Sequence, residues 1–149
     1  MSFLPPTAAP FRLFLSGVIQ GSNLDDAHHS QDYRDRLRAL IREIHPEAEV
    51  ICPVELNPAS AEYSEELARS TFFRELELAA SADVAVAYAP VATMGTAVEM
   101  YRAFDADAVV FTISPMAHNW LVRFISDRVF PDLDAFEAFV RDGGIATAL

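Results

Sequence analysis

The chain has 149 residues, of which 52% are hydrophobic, and its mean hydropathy is +0.16. That supply of apolar side chains is enough for one core, and the length fits one domain. The 22 acidic and 11 basic residues give a net charge of −11 at pH 7. Because phosphate and anionic lipid headgroups are repelled by such a charge, the composition argues against nucleic acid and membrane surfaces as partners and favours a small-molecule ligand.

Targeting signals are not evident in the sequence. No apolar run approaches the roughly 20 residues that a membrane-spanning helix needs, and the first ten residues lack the basic start and apolar middle of a signal peptide. We therefore predict a cytoplasmic protein with a flexible tail over residues 1–10 and one α/β domain over residues 11–149. The single cysteine, Cys52, has no internal partner and is predicted to be a reduced thiol in the core.

Apolar runs and helical spacing alternate along the chain. Strands are predicted for residues 11–16, 49–52, 83–88 and 108–113, with Val129 and Phe130 as a possible fifth strand at an edge. Helices are predicted for residues 31–44, 64–80, 96–105, 119–126 and 133–140.

Two loops are also expected from the pattern. Residues 17–23 form a glycine-punctuated loop after the first strand, and residues 53–63 form a proline-containing loop long enough to serve as a functional lid. Continuously apolar strands that alternate with helices indicate a parallel sheet covered on both faces. The predicted fold is a single-domain, doubly wound, flavodoxin-like α/β sandwich whose sheet has four to five parallel strands.

Glu99 is the residue that most needs an explanation. It follows the third predicted strand and lies near the start of the next helix, and open α/β sheets bind their ligands at the carboxyl ends of strands. A second interpretation is structural: Thr96 and Glu99 fit a capping box, in which both side chains satisfy free amide groups at a helix start. The two roles compete for one carboxylate.

Three segments resemble the nucleoside 2-deoxyribosyltransferase family and its relatives, the nucleoside 5′-monophosphate N-glycosidases. They are residues 14–21 (FLSGVIQG), the helix end from Glu75 to Asp83, and residues 94–99 (MGTAVE). The resemblance implies that Glu99 is the nucleophile that attacks the anomeric carbon of the sugar. It further implies an acid/base role for Glu75, at a position where the family usually has aspartate, and a catalytic role for Asp83, which also suits a turn or a cap.

The resemblance also implies a set of substrate-binding residues and an assembly. Asn119 is similar to an asparagine that family members lend to the sugar site of the neighbouring subunit, so a homodimer or higher homo-oligomer with shared active sites is expected. No metal or cofactor is predicted, and the segment with Asp25, Asp26, His28 and His29 is interpreted as a solvated loop. The predicted substrate-binding residues are Ser16, Gly17, Gln20, Gly21, Thr93, Gly95, Thr96, His118 and Asn119.

Three departures from the family pattern bear on the substrate. Thr93 replaces the base-contacting aspartate of the transferases and is closer to the serine of the hydrolases, whereas Gln20 replaces the arginine with which those hydrolases hold phosphate. Phe14 replaces a tyrosine that supports the nucleophile, and Tyr33, Tyr88 and Tyr101 are its possible substitutes. The sequence leaves hydrolysis and transfer both open.

The predicted function is cleavage or transfer at the N-glycosidic bond of a nucleoside or nucleoside 5′-monophosphate through a glutamate nucleophile. The alternatives are a sensor that binds a nucleotide-like ligand without chemistry, and a purely structural oligomer. Base release from a substrate separates the first from the second, and ligand-induced stabilisation separates the second from the third.

Overall fold

The computed structural model describes residues 8–19 and 28–149. Five parallel strands form one sheet in the order β2-β1-β3-β4-β5. This arrangement confirms the predicted flavodoxin-like α/β fold, including the short fifth strand at an edge. The strands are β1 (Phe11–Gly17), β2 (Ala48–Ile51), β3 (Val84–Tyr88), β4 (Val109–Ile113) and β5 (Arg128–Phe130).

The helices agree with the sequence prediction at most boundaries and differ in three places. The segment 53–63 contains a short helix and a 3-10 turn at Ser60–Glu62, the helix after β3 begins two residues earlier than predicted, and a last short helix was not predicted. The helices are α1 (Asp32–Ile44), α2 (Pro53–Leu56), α3 (Glu65–Ala80), α4 (Met94–Asp105), α5 (Trp120–Ile125), α6 (Leu133–Arg141) and α7 (Gly144–Ala148).

The helices cover the two faces of the sheet in two groups. Helix α1 packs beside α6 and α7 on one face, and α3, α4 and α5 lie side by side on the other. The larger core cluster lies on the α1 side and includes Leu13, Leu37 and Phe136, all at most 1% exposed. Cys52 belongs to this cluster as a buried free thiol, as predicted.

Small side chains allow α4 to lie close to the sheet. Ala85 and Ala87 of β3 pack against Met100 and Ala103 of α4, and all four are buried. Because an alanine adds only a methyl group to the strand surface, the helix backbone approaches the sheet closely at this point. The start of α4 is thereby fixed near the carboxyl ends of β1 and β3.

Strands β1 and β3 are neighbours although β2 lies between them in the chain. The chain crosses over in opposite directions from these two strands, and in open α/β sheets this switch point marks the crevice where ligands bind. Ser16 is paired with Ala87 there, one residue before the end of each strand. The fold therefore points to the carboxyl ends of β1 and β3 as the place for a functional site.

Two features near the amino terminus bear on the sequence predictions. Residues 8–10 are exposed and belong to no helix or strand, and the flexible tail predicted for residues 1–10 stays a prediction because residues 1–7 lie outside the described part. Gln20, Gly21 and Asp25 likewise lie outside the described residues. Across residues 8–19 and 28–149, none of the helices combines the length and the apolar character needed to span a bilayer.

Candidate active site

Glu99 lies in the second turn of α4 and is partly buried, and its carboxylate is bound by a side chain of β1. Ser16 Oγ donates a hydrogen bond of 2.6 Å to Glu99 Oε2. Helix α4 begins at Met94, with Thr93 rather than Thr96 at the N-cap position and no side-chain capping bond there. The capping-box interpretation of Thr96 and Glu99 is therefore wrong, and the carboxylate is directed at the sheet instead of its own helix start.

Burial dominates the electrostatics of Glu99. Desolvation raises the pKa of this carboxyl from 4.5 to about 7, and the negative charge of Glu75 acts in the same direction. The hydrogen bond from Ser16 and the positive charge of Arg34 act in the opposite direction and lower the pKa. A carboxyl with this pKa is poised to exist in both protonation states near neutral pH.

Glu75 projects from α3 and is also partly buried. Its Oε1 accepts a hydrogen bond of 3.3 Å from Asn57 Nδ2, and Asn57 Oδ1 accepts one of 3.1 Å from the Tyr63 hydroxyl. Burial raises the pKa of Glu75, whereas Arg34 and Asn57 lower it. The predicted loop at residues 53–63 thus supplies Asn57, which binds this acid, and Tyr63, which binds Asn57.

No tyrosine in the described part of the chain donates a hydrogen bond to Glu99. Phe14 is fully buried and packs against the α3 side, and Tyr101 is 52% exposed on α4. Tyr33 donates its hydroxyl hydrogen to Val18 O at 2.9 Å, and Tyr88 stacks on the Tyr33 ring at 4.3 Å between centroids. Among the described residues, the donor to Glu99 is Ser16, which the sequence had placed among substrate-binding residues.

Gly17 is required by a close approach at the end of β1. A Cβ atom at this position would lie 2.3 Å from the Tyr33 hydroxyl oxygen, so any larger residue would displace that ring. The Gly17 carbonyl accepts a hydrogen bond of 2.9 Å from Arg34. Gly17 therefore shapes the site through its backbone.

Sequence reasoning missed Arg34, the buried arginine of α1, which is 2% exposed. Its charge lowers the pKa of both Glu75 and Glu99. A signal was present in the sequence: Arg34, Leu37 and Ile41 share one helical face, so an arginine occupies a position of the apolar stripe. No comparable signal identified Asn57 or Tyr63.

Several predicted substrate-binding residues line one cavity, which does not include Glu99. A cavity of about 450 Å³ between α4 and α5 is lined by Thr93, Thr96 and Asn119, together with mostly apolar side chains such as Met100 and Val122. Glu99 does not line it. The buried Thr96 hydroxyl has no hydrogen-bond partner within the described part of the chain.

Asn119 also has a local structural role. Its Oδ1 accepts hydrogen bonds from the amides of Leu121 and Val122 and so caps the start of α5. Neighbouring His118 is exposed in the loop after β4, and Gly95 lies in the first turn of α4, with open space around its Cα. The structure thus places these residues near the carboxyl edge of the sheet, apart from the two carboxylates.

Asp83 lies at the amino-terminal ends of the strands, whereas Glu99 lies near their carboxyl ends. It immediately precedes β3, and its Oδ2 accepts a hydrogen bond of 2.8 Å from the Arg12 amide. Because β3 has five residues at about 3.3 Å each, the length of the strand separates Asp83 from the start of α4. This placement fits the turn role and does not support the catalytic role that the resemblance implied.

Metal ligands are not grouped in the described part of the chain, where no set of three or more His, Cys, Asp or Glu side chains is arranged to hold an ion. Asp25 and Asp26 lie outside that part. Of the two histidines next to them, His28 is exposed and His29 is half-buried.

The strand order and the acidic site at the carboxyl edge define a flavodoxin-like sandwich with paired glutamates at its switch point, and solved structures share this fold. A 2-deoxyribosyltransferase from the psychrotolerant bacterium Bacillus psychrosaccharolyticus matches with a TM-score of 0.63 and 19% identity, over 85% of this chain and 90% of the other. A conserved protein from Enterococcus faecalis V583 matches with a TM-score of 0.61 and 17% identity, over 91% and 99% of the two chains.

The CMP N-glycosidase BcmB from Clostridium botulinum matches with a TM-score of 0.51 and 14% identity, over 87% of this chain and 98% of the other. No protein-family model matches the chain, and no curated protein sequence matches it. The chain therefore has the nucleoside 2-deoxyribosyltransferase-like fold, in agreement with the resemblance found in the sequence.

Proposed function

We propose that this chain is an enzyme that cleaves the N-glycosidic bond of a nucleoside or nucleotide, with Glu99 as the nucleophile. The observation that carries the proposal is the Glu99 carboxylate, held by Ser16 at the carboxyl ends of β1 and β3. The fold shared with a 2-deoxyribosyltransferase and a CMP N-glycosidase supports the same class of chemistry. Fold alone does not select a substrate, so the argument depends on the site.

The proposed reaction has two steps. A Glu99 oxygen forms a bond to the anomeric carbon while the bond from that carbon to the base nitrogen breaks, and the bonding electron pair leaves with the base. The departing nitrogen needs a proton, which Glu75 is suited to supply because burial raises its pKa. Water or the N–H nitrogen of a second base then attacks the same carbon, the bond from that carbon to Glu99 breaks, and the ionised Glu75 takes up the proton that the acceptor loses.

Hydrolysis and transfer differ only in the acceptor of the second step. The test is to incubate the protein with ribonucleosides, deoxynucleosides and their 5′-monophosphates, with and without a second free base, and to follow the bases by chromatography. Free base alone indicates hydrolysis, and a new nucleoside indicates transfer. If no substrate turns over and a nucleotide only raises the melting temperature, the protein is a ligand sensor and the proposal is wrong.

We expect unphosphorylated nucleosides to be better substrates than their 5′-monophosphates, by about tenfold or more in kcat/KM. All 11 basic residues are arginines and all lie in the described part of the chain, where Arg34 is the one whose charge acts on Glu75 and Glu99. Its guanidinium is already bound to protein acceptors. With a net charge of −11, this chain offers a phosphate dianion little compensation.

The same chromatographic assay measures this preference with matched pairs, each a nucleoside and its 5′-monophosphate bearing the same base and sugar. Equal or higher kcat/KM for the monophosphates would show that a phosphate site exists and would contradict the charge argument.

We also propose that two copies of the chain associate through the outer face of α3, α4 and α5. Large apolar side chains are exposed on all three neighbouring helices, and exposed apolar surface of this kind marks sites of protein association. A second copy is the simplest partner, because a two-fold contact buries the same patch on both subunits. The patch consists of Leu67, Phe72, Phe73, Met94, Val98, Tyr101, Phe104, Trp120 and Phe124.

Sedimentation velocity is expected to show a dimer that Tyr101→Glu dissociates and that Leu56→Glu leaves intact. Tyr101 is 52% exposed in the centre of the patch, and Leu56 is 54% exposed on α2. A monomeric wild-type protein would contradict the proposal.

Shared sites have a further consequence for mixed oligomers. Glu99→Gln and Asn119→Ser are each expected to be inactive alone, with serine retaining the α5 cap. If Asn119 completes the partner's site, mixed dimers contain one intact site, and about a quarter of the wild-type activity returns on mixing.

A further inference from the structure

Arg34 is the buried member of the chain's 11 basic residues, and its donors contact neutral groups. The two Nη atoms donate to the main-chain carbonyls of Leu15 at 3.2 Å and Gly17 at 2.9 Å, and Nε donates to Gln31 Oε1 at 2.8 Å. Nη1 also lies 3.7 Å from Cys52 Sγ. A buried guanidinium without a carboxylate in direct contact is costly, and an apolar side chain would suit this helix face better for stability.

Arg34 binds these two carbonyls where a longer β2 would otherwise pair with β1. Strand β2 ends at Ile51, which is paired with Phe14, so β1 continues for three residues beyond its neighbour on that side. Alternate carbonyls of a strand point the same way, and those of Leu15 and Gly17 lack a β2 partner. The guanidinium fork binds both, in the place that a longer β2 would occupy.

Ser16 lies between the two residues that Arg34 binds. Its main chain is therefore fixed on both sides by one planar group, and its hydroxyl is the donor that holds Glu99 Oε2 at 2.6 Å. Arg34 is a residue of α1 and its Nε binds Gln31, so α1 is hydrogen-bonded to β1 on both sides of Ser16, and Ser16 is hydrogen-bonded to α4.

We propose that Arg34 is a positioning residue for Glu99: by bracketing Ser16 it fixes the hydroxyl that orients the carboxylate, and its charge favours the ionised, nucleophilic form. This inference concerns the arrangement of the site and does not depend on which substrate is used. Its kinetic consequence rests on the proposed function, whereas its effect on Glu99 is measurable without turnover.

The charged and titratable groups around Glu99 make the direction of the effect clear. Glu75 from α3 raises the pKa of Glu99, and Arg34 from α1 lowers it. The Tyr33 phenol from α1 stays neutral because burial raises its pKa above the usual value, and Tyr88 from β3 stacks on that ring. Removing the arginine charge leaves the Ser16 hydrogen bond as the contribution that lowers the pKa of Glu99, so this pKa rises above about 7.

The test is a carbon-detected NMR titration of the full chain with labelled glutamate carboxyl groups, in which Glu99→Gln identifies the Glu99 signal. Arg34→Met is expected to raise the Glu99 midpoint, because a positive charge that favours the ionised carboxylate is lost. Arg42→Met is the matched control, because Arg42 lies two turns further along the exposed side of α1 and, among the described residues, binds Glu55. Its Glu99 midpoint is expected to stay at the wild-type value.

Arg34→Lys separates charge from positioning. Lysine keeps the charge but lacks the planar fork that reaches two carbonyls at once. We expect a Glu99 midpoint near that of the wild type, together with a kcat lowered about tenfold or more and a KM that changes little. In Arg34→Met, the acidic limb of the pH profile of kcat/KM moves to higher pH with the NMR midpoint.

An unchanged Glu99 midpoint in Arg34→Met, or wild-type kcat in Arg34→Lys, would overturn the proposal. If Arg34→Met does not fold, Arg34→Gln replaces it, since glutamine keeps hydrogen bonding and removes the charge. If the wild-type protein turns over no nucleoside, the proposed function fails, and the titration still decides the role of Arg34.

Discussion

Replacing Glu99 by glutamine is expected to lower base release by about 10³-fold or more while leaving ligand binding largely intact. Glutamine has the shape of glutamate and retains an oxygen for the Ser16 hydroxyl, so the architecture of the site should persist. An amide is a poor nucleophile and cannot stabilise the positive charge that develops on the sugar. The measurement is chromatographic base release under single-turnover conditions, alongside the dissociation constant for the nucleoside.

Glu66→Gln supplies the control, since Glu66 is an exposed acid in the first turn of α3, away from the site. Its rate should equal that of the wild type. Base release by Glu99→Gln at the wild-type rate would remove Glu99 from the mechanism, even if the chain proves to be a glycosidase.

The same substitution is expected to stabilise the fold above neutral pH, by as much as about 3 kcal/mol. The pKa of Glu99 is about 7 in the folded protein against a reference of 4.5. Between these values the folded state holds a proton that the unfolded state has released. The free energy of unfolding of the wild type therefore decreases as the pH rises from about 4.5 to 7, and glutamine, which does not titrate, avoids this loss.

Urea denaturation of the two proteins at pH 4, 5.5 and 8 measures the effect. The curves should nearly coincide at pH 4 and separate progressively up to pH 8, with Glu99→Gln the more stable protein. Contributions from Glu75 and other groups are largely common to both proteins and cancel in the difference. A difference that does not vary with pH would mean that Glu99 titrates normally in the folded protein.

Together these two results would show that Glu99 lowers the free energy of unfolding and raises the rate of base release. A carboxylate surrounded by protein costs folding free energy when it is ionised, and in the proposed reaction the ionised form is the one that would attack the sugar. The hydrogen bond from Ser16 and the charge of Arg34 reduce that cost without removing it.

The sequence predicted the sheet well because strand burial leaves a strong signal. The apolar runs at residues 83–88 and 108–113 correspond to β3 and β4 within one residue, and alternation of strands and helices was enough to indicate a parallel sheet. The short helix α2 was missed, since a four-residue helix that begins with a proline carries little periodicity.

The start of α4 could not be located from the sequence because two threonines compete for the N-cap. Thr96 followed by Glu99 matches a capping box, yet the backbone of Thr93 is extended, and the helix begins immediately after it. The two candidate N-caps are three residues apart, and with Thr93 as the N-cap Glu99 lies in the second turn of the helix. Helical position alone does not tell whether a carboxylate turns toward its own amides or toward a neighbouring strand.

Arg34 and Asp83 show two different things that a sequence pattern does not predict: the partner of a residue and its position along a strand. Arg34 stands in an apolar stripe, which signals an unusual residue but not its partner, because the partner carbonyls belong to a strand in another part of the chain. Asp83 matches a motif, yet it lies at the edge of the sheet where β3 begins. Motif spacing fixes the order of residues along the chain and does not fix which end of a strand a side chain occupies.

The early end of β2 has a consequence for how the protein can evolve and be engineered. Beyond the end of β2, the unpaired carbonyls of β1 are bound by Arg34 of α1. The side chains of the proposed site therefore come from five separate segments of the chain: Ser16, Arg34, Asn57, Glu75 and Glu99. No fragment shorter than residues 16–99 contains them all. Assembly of these side chains therefore requires the first three strands and the helices that connect them, and under the proposed function partly folded forms are expected to be inactive.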